Sequence, residues 1–107
     1  MLDWARIEEL RDEVGAEDFA EVVELFLEEA GETLGRLGPA TAGVAELHFL
    51  KGAALNLGFA EFAQLCREAE LAARQGSPPD LAALEDSFAR TRALFLGRLA
   101  AAGYLAA

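Results

Sequence analysis

The segment Glu46-Leu47-His48-Phe49-Leu50-Lys51-Gly52-Ala53-Ala54-Leu55-Asn56-Leu57-Gly58 decides how this chain is read. At about 100° per residue, Leu47, Leu50, Ala54 and Leu57 share one helical sector of roughly 80° and face a core. His48 then points about 140° away from the middle of that sector, and Lys51, Gly52 and Leu55 lie within about 60° of it on the exposed strip. His48 is the only histidine of the chain and Lys51 the only lysine, so both stand one turn apart on the same outer face.

A solvated imidazole is largely neutral at pH 7 and is nucleophilic through one nitrogen. A lysine at i+3 places a flexible cation beside whatever the ring acquires; for a phosphoryl group, the ammonium offsets charge on the oxygens. Gly52 costs about 1 kcal/mol against alanine in a helix interior. It makes sense where a partner must come close to the ring. Leu55 and Phe59 are expected to leave apolar surface beside the histidine, suited to docking a protein. Taken as residues only, the strip also reads as an ordinary solvated face: exposed histidines and single exposed leucines are common, and Gly31 and Gly35 show that this chain has other helical glycines.

Working outward, the remaining segments read as helices, because Ala, Leu, Glu and Arg dominate and no stretch alternates. Asp3 caps a short first helix, about residues 3–14, that carries Ile7, Leu10 and Val14 and ends at Gly15. A second, about 17–37, repeats Phe19, Val22, Val23, Phe26, Ala30, Leu34 and Leu37 before Gly38-Pro39. The third, about 42–57, ends at Gly58, a left-handed cap. The fourth, about 60–75, buries Phe62, Leu65, Cys66, Ala69 and Ala72. After Gly76-Ser77-Pro78-Pro79, Asp80 opens the last, about 80–102, with Leu81, Leu84, Phe88, Thr91, Phe95 and Leu99 inward. Short connections between such helices imply an all-α, antiparallel up-down-up-down four-helix bundle with a short extra N-terminal helix, one domain over residues 1–107.

The 107 residues carry a formal charge of −10, which argues against nucleic acid and anionic membranes as partners. Residues 1–47 hold 13 acids against 3 arginines, whereas residues 48–107 hold 6 of each sign, so all the net charge precedes His48. The acidic half is expected to be solvated helix surface. With one cysteine no internal disulfide forms; residues 1–15 lack the cationic start and apolar run of a signal peptide, and no apolar run is long enough for a bilayer. A cytoplasmic location is the expectation. Di-iron bundles need paired Glu-x-x-His motifs, a haem ligand must be buried, and Cys66 lies on an apolar stripe, so metal and thiol chemistry are not expected. No glycine-rich phosphate loop is present, so the chain is not expected to use ATP as a kinase does.

His48-Phe49-Leu50-Lys51-Gly52, followed by Asn56 and Gly58, resembles the His-x-Leu-Lys-Gly signature of histidine-containing phosphotransfer (HPt) domains. Leu25-Phe26-Leu27-Glu28-Glu29-Ala30 is similar to the helix that usually precedes the signature, and Leu65-Cys66-Arg67-Glu68-Ala69-Glu70 to the one that follows. The resemblance implies a four-helix bundle in which His48 takes a phosphoryl group and exchanges it with an aspartate of a response-regulator receiver domain, upstream or downstream of a (hybrid) histidine kinase. It further implies that Lys51 neutralises the phosphoryl group, Gly52 clears space and Glu70 orients the imidazole. Arg67 and Arg74 would border the docking surface or be solvated. Magnesium is expected on the receiver, and no cofactor on this chain. Members often have Ala before the histidine, Ser or Thr after it and a small residue at position 55; Leu47, Phe49 and Leu55 depart from this and make the docking face bulkier. Two other roles compatible with such a bundle are an adaptor or inhibitor that binds a receiver or kinase domain without phosphotransfer, and the phosphoacceptor domain of a chemotaxis-type kinase.

Overall fold

The computed structural model of the chain describes residues 2–38 and 43–105. Among them are five helices and no strand: α1 (Trp4–Val14), α2 (Phe19–Arg36), α3 (Val44–Leu57), α4 (Ala60–Arg74) and α5 (Leu81–Ala101). Each falls within two residues of its expected bounds; Pro39 and Ala42, expected to stop the second helix and start the third, lie outside the described residues. The two aspartate caps form as anticipated. Asp3 Oδ1 accepts the Arg6 backbone N–H at 3.2 Å, and Asp80 Oδ1 accepts that of Ala83 at 3.1 Å. None of these helices is long and apolar enough to cross a membrane.

The apolar stripes meet in one core. Leu47, Leu50, Ala54 and Leu57 of α3 are all buried, together with Ala53. Phe59, Phe62, Phe88 and Phe95 form its aromatic centre, with Phe59 and Phe95 edge to face at 5.0 Å. Two stripes are rotated from expectation. On α2, Leu27 is buried while Val22 and Phe26 are only half-buried. On α4, Ala63, Glu70 and Ala73 are buried and Leu65 and Ala72 half-buried, because α4 turns toward α3, its most extensive packing partner. α3 also packs on α2 and α1, and α5 on α4, whereas α2 and α5 barely touch.

α1 straps the turn between α3 and α4. The Asp3 N–H donates to Gly58 O at 2.7 Å, Leu2 and Phe59 form an antiparallel bridge, and Arg6 Nη2 donates to Asn56 Oδ1 at 3.2 Å. Gly58 is left-handed, with φ +73°, and a Cβ there would lie 2.6 Å from Asp3 O and 2.9 Å from Ile7 Cγ1. The glycine therefore supplies both the cap and the room in which α1 seats. Gly58→Ala should lower stability by about 2 kcal/mol or more, the left-handed penalty of roughly 1–2 kcal/mol plus the displacement of α1. Urea unfolding measures the loss, and protection of the Asp3 amide from hydrogen exchange should fall with it.

Candidate functional site

His48 stands on the outer face of α3, its side chain two thirds exposed. The ring leans toward α4, where Nδ1 lies 3.3 Å from Glu70 Oε2. Glu70 is nearly buried, its side chain only 7% exposed. A buried carboxylate is costly unless it is paired, and here three groups converge on it. Arg74, one turn on along α4, donates from Nη2 to Oε2 at 2.9 Å. Lys51 Nζ lies 3.0 Å from Oε1, and the His48 ring completes the set. Arg74 first, then Lys51, with His48 a smaller contributor, hold the Glu70 carboxyl down at about 2 against the opposing effect of burial.

An ionised carboxylate only accepts hydrogen bonds, so the His48–Glu70 contact requires the proton on Nδ1. In the neutral ring Nε2 is then the nitrogen with a free lone pair, on the edge turned away from Glu70. The arrangement can present a neutral, oriented nucleophile beside two cations. It also places a negative charge against the nitrogen that retains its proton if the ring becomes cationic.

The structure brings together four of the residues singled out from the sequence, His48, Lys51, Glu70 and Arg74, around one carboxylate. Lys51 is less exposed than its place on the α3 strip suggests: its side chain is about a quarter exposed and leans to α4. Gly52 is exposed, and a Cβ added to it would meet nothing within 4 Å. No contact among the described residues requires a glycine there. Leu55, 57% exposed, and the exposed Arg67 line a groove of about 450 Å³ between α3 and α4, beside Lys51.

Phe59 is not on that surface. It is fully buried, against Phe88 and Phe95. It follows the C-cap of α3, so the α3 phase does not extend to it, and the left-handed Gly58 turns it inward to begin α4. On the other flank of His48, the exposed Phe49 lines a groove of about 390 Å³ with Thr33 and Arg36 of α2. Arg36 was not anticipated, since nothing local marks a residue on another helix as a neighbour of Phe49. Cys66 is buried, and burial together with the Glu70 charge pushes its thiol up to about 12, which leaves it inert.

The depressed Glu70 carboxyl has a consequence for stability. A carboxyl held lower in the folded chain than in the unfolded one stabilises fully above the unfolded value, about 4.3, and loses that contribution as pH falls toward 2. Wild type should therefore exceed Glu70→Gln in urea-unfolding stability most at pH 5–7. The gap should narrow between about pH 4.5 and pH 2; a gap independent of pH would mean that the carboxylate is not held by its cations.

Neither the curated proteins nor the solved structures include a match to this chain. A family model described as Hpt domain matches residues 21–94, from the first turn of α2 to the middle of α5, with His48, Lys51, Gly52, Glu70 and Arg74 all inside the match. Such domains generally carry out histidine phosphotransfer in phosphorelays and interact with receiver domains and histidine kinases. Five helices and no strand among the described residues, with a family match covering more than two thirds of the sequence, place this chain in the Hpt domain family.

Proposed function

We propose that His48 is the phosphoacceptor of a phosphorelay carrier, exchanging its phosphoryl group with an aspartate of a response-regulator receiver domain. The observation that carries this reading is the Nδ1–Glu70 contact, which in the neutral ring keeps the proton on Nδ1 and leaves the lone pair on Nε2 of an exposed ring. In the forward step Nε2 attacks the phosphorus of the receiver's aspartyl phosphate. The N–P bond forms as the P–O bond to the aspartyl carboxylate breaks, and the carboxylate leaves with the electron pair. Nδ1 keeps its proton throughout, so the phosphorylated ring bears a positive charge beside Glu70. Transfer onward is the same step reversed.

Phosphoryl transfer asks the protein chiefly for positioning and charge neutralisation. Glu70 orients the ring, Lys51 neutralises phosphoryl oxygens and Gly52 lets the partner approach. Leu55, Arg67 and Arg74 border the docking surface, with Arg74 also holding Glu70. Magnesium belongs to the receiver's acidic pocket in this reading. The phosphoryl group originates from a histidine kinase, and the carrier acts in the cytoplasm as one bundle domain with the four longer helices running alternately up and down.

The deciding test is incubation of the purified chain with a panel of phosphorylated receiver domains, followed by intact mass. Wild type should gain one acid-labile, alkali-stable phosphate and His48→Gln none. Absence of transfer from every receiver, together with tight binding that His48→Gln leaves unchanged, would replace the carrier with an adaptor. Gly52→Ala separates fold from function: it should stabilise the free chain by about 0.5–1 kcal/mol, as alanine does over glycine inside a helix, while slowing transfer. Lys51→Ala should slow transfer about tenfold or more, in proportion to one lost charge-assisted contact of about 1.5–3 kcal/mol. Single-turnover kinetics with the receiver found above measures both.

A further inference from the structure

α2 and α5, the two helices whose contact would close the bundle on the side away from the α3–α4 seam, leave a groove of about 550 Å³ between them. Half-buried Leu96 and Leu105, with buried Leu27 beneath, contribute its apolar floor, Glu24 and Glu28 stand on the α2 bank, and Arg92 on the α5 bank. None of these three charged residues has an ion-pair partner among the described residues, so opposite charges face one another across the groove without meeting. The α2 bank continues along the same side of the helix through Gly31 and Gly35, at i+3 and i+7 from Glu28. Added Cβ atoms at those positions would meet nothing within 4 Å, so no contact among the described residues explains glycines there.

We propose that this groove is a second docking surface, taking one amphipathic helix of a partner protein that sets basic residues against Glu24 and Glu28 and an acid against Arg92. A helix suits the space because its apolar ridge fills a trough between two helices, and glycines on one bank allow close approach of its backbone. A basic side toward α2 follows from charge: α2 carries Glu21, Glu24, Glu28, Glu29 and Glu32 before its single arginine, Arg36. A second copy of this chain does not fit, because two-fold pairing would set one concave face against another and leave both troughs empty. A partner held here leaves His48 accessible, since His48 lies at the α3–α4 seam. The docking itself does not depend on the phosphotransfer reading.

The test is NMR titration of the full chain with three synthetic peptides of about five helical turns, roughly 18 residues each. The first has a leucine seam flanked by lysines on one side and a glutamate on the other. The second is its charge-reversed counterpart, and the third the lysine peptide broken by a central proline. The lysine peptide should bind saturably and shift the amides of Glu24, Leu27, Arg92 and Leu96 but not those of His48–Leu55. Glu24→Lys/Glu28→Lys should weaken it about tenfold or more, corresponding to roughly 1.4 kcal/mol, while Asp12→Lys/Glu17→Lys has little effect and the other two peptides do not bind. Shifts spread over the whole acidic surface, with both double variants weakening binding equally, would overturn the proposal in favour of general charge attraction. Failure of the lysine peptide to bind at millimolar concentration, or concentration-dependent shifts at the same amides without peptide, would overturn it as well.

Discussion

Much of this molecule's architecture turns on the burial of one carboxylate. Glu70 lies under the outer face of the α3–α4 seam, and a negative charge withdrawn from water there must be repaid by donors within reach. Two come from α3, His48 and Lys51, and one from the next turn of α4, Arg74. These partners fix the rotation of α4 about its axis: turned outward, Glu70 would leave the cations idle; turned farther in, it would lose them. The same rotation exchanges Leu65 and Ala72 for Ala63 and Ala73 in the core, and small residues at those positions let α4 lie close against α3. Electrostatics at the site and packing in the seam are thus two aspects of one helix orientation.

The seam is held from below by a different device. α3 ends in a left-handed glycine whose missing Cβ is filled by the backbone of Asp3, and the N-terminal strap of Leu2, Asp3 and Arg6 clasps the turn through one bridge and two hydrogen bonds. α1 is fastened in turn to the end of the chain. Trp4 stacks on Tyr104 at 5.8 Å, Arg98 covers Trp4 and Arg11 covers Tyr104, and the Tyr104 hydroxyl donates to Glu8. The α3–α4 turn therefore has support from both ends of the chain, while His48, nearly three turns up α3, stands free on its outer face. In the proposed carrier, this division between a clamped base and an open face lets His48 meet its partners without reshaping the bundle.

The degree to which the sequence disclosed this arrangement varies with the range of the interactions involved. Helices and caps are local: Asp3, Asp80, Gly15 and Gly58 act on residues three or four away, and the apolar period of α3 alone placed His48 outside and Leu47, Leu50, Ala54 and Leu57 inside. Phe59 was misplaced because a helical phase ends where the helix ends, and the turn at Gly58 redirects the next side chain. The Glu70 position came from a family resemblance and not from periodicity, since a single acid on an amphipathic helix reads as solvated until the neighbouring helix is in place. That one carboxylate would gather Lys51 and Arg74 as well as His48 depends on the angle between α3 and α4, which no local pattern encodes. The same holds for the α2–α5 groove: α2 read as one apolar stripe, and only the spacing of two helices far apart in sequence reveals the groove beside it.

The charge distribution ties these features together. The molecule is strongly acidic, yet Lys51 and Arg74 converge on Glu70 beside His48, Arg67 lines the groove next to Lys51, and the acids are concentrated on the first two helices. A partner that presents an acidic pocket, as a receiver's aspartate site does, gains from those cations only where it meets the α3–α4 face and is repelled by α1 and α2 elsewhere. Away from the α2–α5 groove, the acid-rich helices thereby discourage misdirected encounters. Attraction near the ring is also moderated. Glu70 absorbs part of the field of Lys51 and Arg74, which in the proposed phosphocarrier leaves the site cationic enough to receive a phosphoryl group but not so cationic as to retain it. A carrier must release what it accepts, and sharing two cations between a permanent carboxylate and a transient phosphoryl group is a physical means of keeping those two states close in free energy.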